Sequence, residues 1–319
     1  MYIMKLTPAV KDYIWGGNKL KEEYSVKSDS ERTAEAWVLS CHRDGLSVVE
    51  NGEFASRTLS DVLSEHPEFL GTIGGEFERF PFLIKLIDAK DDLSVQVHPD
   101  DEYALASEGE PGKTELWYIL ECEEGASVVY GFTEELTMEQ FRKAIGNGTL
   151  PDYLHRFEVK KGDVFSIEAG TIHAVGKGIV LAEIQQNSNT TYRVFDYDRT
   201  DADGNKRELH IEKAIDVTIT APPTIKPGAS GAETKVDTRT ETLLSSNEHF
   251  KTTLVCNKNI SEFTVGEQSF ASVVVLEGTI QLNASDSSVT LTKGESAFIP
   301  AGSGLIKMFG AADFLLTTV

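Results

Sequence analysis

Three polar residues, Ser94, Gln96 and His98, alternate with two valines along a short segment of the chain. Alternate side chains of a β-strand point to the same face, so a strand here would group these three side chains. Glu115 opens a second strand-like run, and His173 follows the turn after a third. Two imidazoles, a carboxylate and an amide on converging strands would form a metal site. The alternative is a polar sheet face with ordinary hydrogen bonds.

Basic residues in strand-like runs are a second set of candidates. Lys85 lies inside the apolar run 82–87, where burial would require a partner for its charge. Lys113 is two residues before Glu115, so a regular strand would place both on one face. With Arg193, these residues would form the local basic cluster that an anionic substrate needs in an acidic chain. Their ordinary alternatives are a buried ion pair, a surface lysine and a carboxylate-paired arginine.

Glu183 is a charged residue within the apolar run 180–184. Burial would raise its pKa toward the range that suits a general base. A structural ion pair is the alternative, since such pairs also perturb the pKa of buried groups. Ser94 shares the predicted face of Gln96 and His98, and its hydroxyl could bind substrate or hydrogen-bond a neighbour.

Composition narrows the kind of protein. The chain has 319 residues, 40% hydrophobic and 25% charged, which fits a soluble protein long enough for two domains. Its net charge of −21 argues against nucleic acid or an anionic membrane as partner. We find no secretory signal and no apolar run of about 18 residues. The three scattered cysteines include no CxxC pair. These features predict a cytoplasmic protein.

Short strands dominate the sequence pattern. Most apolar runs are brief and separated by Gly, Asp and Pro, which favours a sandwich or barrel. Two stretches are predicted to be helical insertions, at about 54–75 and 133–156. Ser60 is the expected N-cap of the first. The second begins with a capping box from Thr137 to Gln140.

A stretch rich in Pro, Gly, Ser and Thr at 218–240 is the best domain boundary. An internal repeat supports it, because Lys161–His173 aligns without gaps to Lys293–Leu305. Each copy reads as a turn glycine, a strand and a second turn glycine. His173 corresponds to Leu305, so if the histidine is a ligand, only the first copy would bind metal.

Several segments are similar to known motifs. The spacing of Gln96, His98 and Glu115 resembles the first cupin motif. The spacing of Gly162, Glu168, Gly170 and His173 resembles the second. Among cupins, the chain resembles the type I mannose-6-phosphate isomerases, in their short bacterial form. The segments that carry this resemblance, in the family's order, are Trp15–Gly17, Phe82–Ala89, Leu93–Asp100, Lys113–Tyr118, Gly170–Ala174 and the arginine signature Gln185–Arg193.

The resemblance implies a fold. It implies a mainly β chain of two cupin (jelly-roll) β-barrel domains with helical insertions in the N-terminal part. Residues 1–225 would be the catalytic metal-binding cupin domain, and residues 226–319 a degenerate cupin domain without metal ligands. Two positions depart from the family pattern: Glu168 stands where the second motif usually has Pro, and Asn189 replaces the aspartate common in the arginine signature.

The resemblance also implies a chemistry. The reaction would interconvert mannose 6-phosphate and fructose 6-phosphate through a cis-enediol, with one Zn²⁺ per chain. Iron, nickel or manganese could use the same ligands. The implied metal ligands are Gln96, His98, Glu115 and His173, and the resemblance also places Lys85, Lys113 and Arg193 in the active site. Together with Glu183 and Ser94, chosen from their positions in the strands, this gives Arg193, Lys113 and Glu183 as the predicted catalytic residues. Ser94 and Lys85 are the predicted substrate-binding residues.

Some alternatives stay open at the level of sequence. A cupin metalloenzyme of another class, such as an iron oxygenase, would contain iron and consume oxygen. A non-catalytic paralogue would bind a sugar phosphate without turnover. The general base is undecided between Lys113 and Glu183, and Gln96 could bind metal directly or orient a neighbour. The expected partner is a small-molecule sugar phosphate, and the expected state is a monomer or homodimer.

Overall fold

The computed structural model describes residues 1–200, 204–285 and 287–319. Within them the chain packs into two compact units. Unit 1 contains Met1–Asp12, Asn18–Ile87 and Ala229–Val319, and unit 2 contains Tyr13–Gly17 and Asp88–Gly228. The predicted division between residues 225 and 226 lies close to the last passage of the chain from one unit to the other. As a domain boundary it stays a prediction.

Helices are short and few in the described residues. Within that part of the chain, none combines the length and apolar character needed to cross a bilayer. The α-helices are α1 Lys19–Glu23, α2 Leu59–Glu65, α3 Gly71–Gly74, α4 Asp101–Ser107, α5 Met138–Gly146 and α6 Ile211–Val217, and the 3-10 helices are Pro67–Leu70 and Leu150–Tyr153.

Strands make up most of the regular structure. They are β1 Met4–Thr7, β2 Ala9–Lys11, β3 Glu35–Leu39, β4 Cys41–His42, β5 Gly45–Leu46, β6 Val48–Val49, β7 Phe82–Ala89, β8 Val95–Val97, β9 Glu115–Cys122, β10 Ser127–Phe132, β11 Leu154–Glu158, β12 Val164–Ile167, β13 His173–Val175, β14 Ile179–Gln186, β15 Tyr192–Phe195, β16 Thr234–Val236, β17 Arg239–Ser246, β18 Lys251–Asn257, β19 Ile260–Val265, β20 Ala271–Asn283, β21 Ser288–Thr292, β22 Ser296–Ile299 and β23 Gly304–Thr318.

Unit 2 carries the strands that hold the candidate site residues other than Lys85. One antiparallel sheet has the order β11-β10-β13-β8-β15, and β9 pairs separately with β12 and β14. Val95 and Val97 are buried in an apolar core that also contains Phe132 and Phe141. The alternation predicted for this segment is therefore confirmed, since its valines face the core.

Unit 1 is built around a ten-stranded sheet. Its main path runs β16-β17-β18-β23-β20-β22-β1-β6, with β19 on β23 and β21 on β20. In the same unit β3 pairs with β2 and β7, which sets Trp37 opposite Lys85. The apolar side of the large sheet forms a second core with Val273, Val275 and Phe314 at its centre.

The first predicted helical stretch contains α2, with a correction at its start. Thr58, not Ser60, is the N-cap, and its Oγ1 accepts a hydrogen bond from the Asp61 N–H at 3.1 Å. An N-cap must precede the helix with extended backbone, and Thr58 has φ −69° and ψ 145°. Ser60 already lies inside α2.

The second predicted helical stretch contains α5, and its capping box is confirmed. The Thr137 Oγ1 accepts from the Gln140 N–H at 3.2 Å, and the Gln140 Oε1 accepts from the Thr137 N–H at 2.8 Å. The helix ends at Gly146. After a 3-10 turn the chain enters β11 at Leu154, which pairs with β10 and so ends the helical stretch earlier than predicted.

The internal repeat is also a repeat of backbone conformation. Gly162 and Gly294 have φ of 91° and 87°, and Gly170 and Gly302 have φ of 83° and 76°. These values are in the left-handed region, where glycine avoids the strain of a Cβ. Each pair of glycines flanks a strand, β12 in the first copy and β22 in the second. The sequence pattern of turn, strand and turn is thus present twice.

The mainly β character predicted from the sequence is confirmed, whereas the description as two closed barrels is not. Among the described strands, each hydrogen-bonded path has two ends and none closes on itself. A closed barrel needs pairing between its first and last strands.

Candidate metal centre

Two neighbouring strands and a third bring the predicted ligands together. His173 at the start of β13 is the register partner of Gln96 in β8. His98 follows β8 directly, and Glu115 is the first residue of β9. The face shared by Gln96 and His98, which was predicted from alternation, is therefore directed toward His173 and Glu115.

His98, Glu115 and His173 form a buried group of three potential metal-binding side chains. The His98 Nε2 lies 3.1 Å from the His173 Nε2 and 3.6 Å from a Glu115 oxygen. The other Glu115 oxygen lies 3.4 Å from the His173 Nε2. All three side chains are at most 1% exposed. In the described residues this is the single group of three or more His, Cys, Asp or Glu that could hold a metal ion.

The outer nitrogens of both imidazoles face backbone carbonyls. The His98 Nδ1 lies 2.9 Å from the Thr190 oxygen, and the His173 Nδ1 lies 2.8 Å from the Thr171 oxygen. A carbonyl oxygen accepts only, so each Nδ1 carries a proton, and in the neutral imidazole each Nε2 then presents a lone pair. Metal-binding histidines in proteins are commonly held in this way.

This donor set fits a cation. Two nitrogen lone pairs 3.1 Å apart cannot hydrogen-bond to each other, and a carboxylate faces both. Burial lowers the pKa of His173 to about 4, so its imidazole is neutral at physiological pH. Neutral imidazoles with a carboxylate are the ligand types that Zn²⁺ and related metals take.

Gln96 stands beside the group with its nitrogen toward His173. The Gln96 Nε2 is 3.4 Å from the His173 Nε2, and its Oε1 accepts from the Ser94 hydroxyl at 3.3 Å. A rotation of the amide by 180° would exchange oxygen and nitrogen at nearly the same positions. Ser94 therefore bears directly on whether Gln96 can present an oxygen to a metal.

Lys113 is next to the ligand atoms. Its Nζ donates to a Glu115 oxygen at 2.6 Å and lies 3.1 Å from the His98 Nε2. It is also 3.8 Å from a Glu183 oxygen, whose partner oxygen accepts from the Trp117 indole N–H at 3.2 Å. Lys113 and Glu183 are both about 4% exposed. Lys113 and Glu183 are therefore both buried next to the ligand atoms.

Arg193 reaches the same region from β15. It is the register partner of Gln96, and its Nε donates to the Ser94 hydroxyl at 3.2 Å. Its Nη1 donates to the Glu208 carbonyl at 2.9 Å. Burial and the nearby Arg207 charge lower the pKa of Arg193. Arg193, Ser94 and Gln96 thus form a hydrogen-bonded chain that ends at His173.

Lys85 belongs to unit 1. It is 4% exposed, its Nζ is 3.8 Å from a Glu35 oxygen, and it lies 5.2 Å from the centre of the Trp37 ring. The Trp37 indole N–H donates to the same Glu35 oxygen at 2.7 Å. The buried ion pair that the sequence offered as the ordinary reading of Lys85 is present.

Sequence reasoning missed a basic cluster close to Arg193. The carboxylate of Asp196 is 6% exposed and pairs with Arg199 at 2.5 Å and with Arg207 at 2.5 and 2.8 Å. The signal was available in the sequence, because Asp196 and Arg199 follow Arg193 within six residues of an acidic chain. The backbone carbonyls that orient the histidines carry no such signal.

The fold and this group of side chains define a class: a mainly β protein with a buried site able to hold a metal ion. Comparison with known proteins narrows the class. The family model for the type I phosphomannose isomerase catalytic domain matches residues 3–143, and that for the mannose-6-phosphate isomerase cupin domain matches residues 240–319.

Individual relatives agree with the family models. The chain is 39% identical to the mannose-6-phosphate isomerase of Bacillus subtilis strain 168, over 97% of this chain and 96% of the relative. It is 42% identical to that of Streptococcus mutans, over 90% and 89%. The crystal structure of a mannose 6-phosphate isomerase from Bacillus subtilis covers 100% of both chains at 36% identity, with a TM-score of 0.93. The chain therefore belongs to the type I mannose-6-phosphate isomerase family.

Proposed function

We propose that this protein is a zinc-dependent aldose–ketose isomerase that interconverts D-mannose 6-phosphate and D-fructose 6-phosphate through a cis-enediol. Family membership supports the isomerase activity. The observation that carries the metal dependence is the convergence of two imidazole lone pairs and a carboxylate in a buried site. Its small sugar-phosphate substrate, cytoplasmic location and monomeric or dimeric state remain predictions.

His98, Glu115 and His173 would hold the metal, and Gln96 would join them if its amide turned its oxygen inward. When bound, zinc would act as a Lewis acid toward the sugar oxygens and the negative charge that develops on them. Neutral imidazoles and one carboxylate leave a dipositive ion with excess positive charge. This charge complements an enediolate.

Lys113 and Glu183 are the candidates for proton transfer. Isomerisation of the open-chain aldose requires loss of the C2 proton and protonation of O1, which gives the enediol. Loss of the O2 proton and protonation of C1 then give the ketose. The 3.8 Å between the Lys113 Nζ and the Glu183 oxygen lets one hold a proton that the other releases.

Arg193, Ser94 and Lys85 would bind the substrate. Arg193 would stabilise the enediolate or hold the sugar, since its guanidinium carries charge beside Gln96. Ser94 and Lys85 would help to anchor the phosphate, Lys85 by its match to the family pattern and Ser94 by the face it shares with Gln96 and His98. The contacts of Ser94 with Arg193 and Gln96 support a second role for it, in orienting both.

Turnover of mannose 6-phosphate by the purified chain tests the proposal. We expect activity in the zinc-loaded protein, loss of activity after chelation and recovery when zinc is added back. Bound iron with oxygen consumption would instead indicate another class of cupin enzyme. Absence of turnover in the zinc-loaded protein would rule out the proposed reaction.

A further inference from the structure

The two histidines of the metal centre are oriented in different ways. The carbonyl that accepts from His173 belongs to Thr171, two residues away, and so is set by the local backbone. The carbonyl that accepts from His98 belongs to Thr190, 92 residues away. The orientation of His98 therefore depends on whatever holds Thr190 in place.

Thr190 lies in an irregular segment between β14 and β15, which we call the 187–191 loop. Two glutamines at the end of β14 pin its start. The Gln185 Nε2 donates to the carbonyls of Gln186 and Ser188, and the Gln186 side chain accepts from the Thr114 N–H at 2.8 Å. These contacts fix the first part of the loop, and the Thr190 N–H donates to the Ser188 hydroxyl at 3.3 Å.

Glu110 holds the second part of the loop. One of its oxygens accepts from the Asn189 N–H at 3.3 Å and from the Thr190 hydroxyl at 3.4 Å. The side chain is only 7% exposed, and a buried carboxylate is costly unless it accepts hydrogen bonds. One donor is the hydroxyl of the residue whose carbonyl faces His98, and the other is the N–H of the residue before it.

We propose that Glu110 is a positioning residue for the metal centre. Through the Asn189–Thr190 backbone it holds the Thr190 carbonyl against the His98 Nδ1, and so keeps the His98 Nε2 unprotonated and directed at Glu115 and His173. The proposal rests on the proposed metal dependence. It explains why a carboxylate outside the ligand set is buried beside this loop.

Two variants test it by zinc affinity, measured by competition with a chelator. Glu110→Ala should weaken Zn²⁺ binding by about 10- to 100-fold, the range typical of lost outer contacts to metal-binding histidines. Glu110→Gln retains an accepting oxygen and should restore most of the affinity. Glu108→Ala is the matched control. Glu108 accepts from the Tyr192 hydroxyl and from Lys213 at 2.7 Å, both of which lie outside the 187–191 loop.

A second readout does not require metal. Nitrogen-15 NMR of the metal-free full chain should show His98 protonated at Nδ1 in the wild type and in Glu108→Ala, and a mixture of tautomers in Glu110→Ala. Wild-type zinc affinity and an unchanged His98 tautomer in Glu110→Ala would overturn the proposal.

Two further outcomes are distinguishable. If Glu110→Ala does not fold, Glu110→Asp takes its place, since its shorter side chain withdraws the carboxylate from both the Asn189 N–H and the Thr190 hydroxyl; an unchanged tautomer there also overturns the proposal. If the wild type binds no zinc and has no isomerase activity, the proposed function fails. The tautomer comparison then still decides the role of Glu110.

Discussion

Lys113 is a buried lysine that lies directly beside the candidate metal ligands. A buried ammonium is stable only with close partners, and Lys113 has Glu115 at 2.6 Å and Glu183 at 3.8 Å. The same arrangement places a proton donor and a carboxylate within reach of each other. Glu183 can therefore take the substrate's C2 proton directly as a carboxylate, and Lys113 can take it once its own proton has passed to Glu183.

Alanine substitutions separate the two candidates. Whichever of Lys113→Ala and Glu183→Ala removes the general base should lower kcat by about 10²-fold or more. Steady-state kinetics with zinc-saturated protein, together with exchange of the substrate C2 proton into deuterated water, would measure this. Lys160→Ala, at an exposed lysine, is the control and should leave kcat unchanged. Near-normal kcat and exchange in both variants would place the base elsewhere.

At the residue scale, the sequence predicted side chains whose type carries the chemistry. His98, Glu115 and His173 could be named because imidazole and carboxylate groups in strands are recognisable, and the structure brings all three together. The contact of His98 with the Thr190 carbonyl could not be predicted. Every residue has a carbonyl, so only the tertiary structure selects one.

At the element scale, α5 offers a clean test of a local signal. Thr137→Ala removes the side-chain acceptor of the capping box and should destabilise the protein by about 1 kcal/mol. Thr149→Ala is the matched control, because Thr149 is an equally exposed N-cap threonine without a side-chain cap bond. Urea unfolding should show a change below about 0.5 kcal/mol for it. Equal effects of the two changes would contradict the role of the cap.

Strand boundaries show where local signals stop being sufficient. In the sequence, 272–276 and 279–282 are two short apolar runs on either side of Gly278, a pattern that predicts two separate strands, but β20 continues through both. Gly278, with φ 79°, reads as a turn, yet it lies opposite Ala312 in the pairing with β23. A Cβ there would lie 2.2 Å from the Ala311 oxygen, so the glycine permits close approach of the two strands. Such a role depends on a neighbour far away in sequence.

At the scale of the whole molecule, one metal ion per chain is expected. The described residues contain one suitable group, and the second copy of the repeat has Leu305 where the first has His173. Elemental analysis of zinc-loaded protein should give about one zinc per chain. His173→Ala should lower this value, and His249→Ala, at the histidine of the C-terminal part, should not. Two zinc ions per chain in the wild type would contradict the expectation.

Contacts between distant segments are the least visible in the sequence. Unit 1 combines residues 18–87 with residues 229–319, while the division at residues 225 and 226 stays a prediction. β1 pairs with β22, so strands from the two ends of the sequence share one sheet. Pairing over such separations leaves no mark on local composition or periodicity.

The carbonyls that orient the two histidines lie at very different distances along the chain. This difference has a consequence for chain entropy. The contact of His173 closes a loop of two residues, whereas that of His98 spans 92 residues and relies on the pairing of β8 with β15 to close that longer loop. By the logarithmic dependence of loop closure on length, the longer loop costs roughly 3 kcal/mol more. The orientation of His173 therefore costs little chain entropy. The orientation of His98 costs more, and the folding of the surrounding structure must offset that cost.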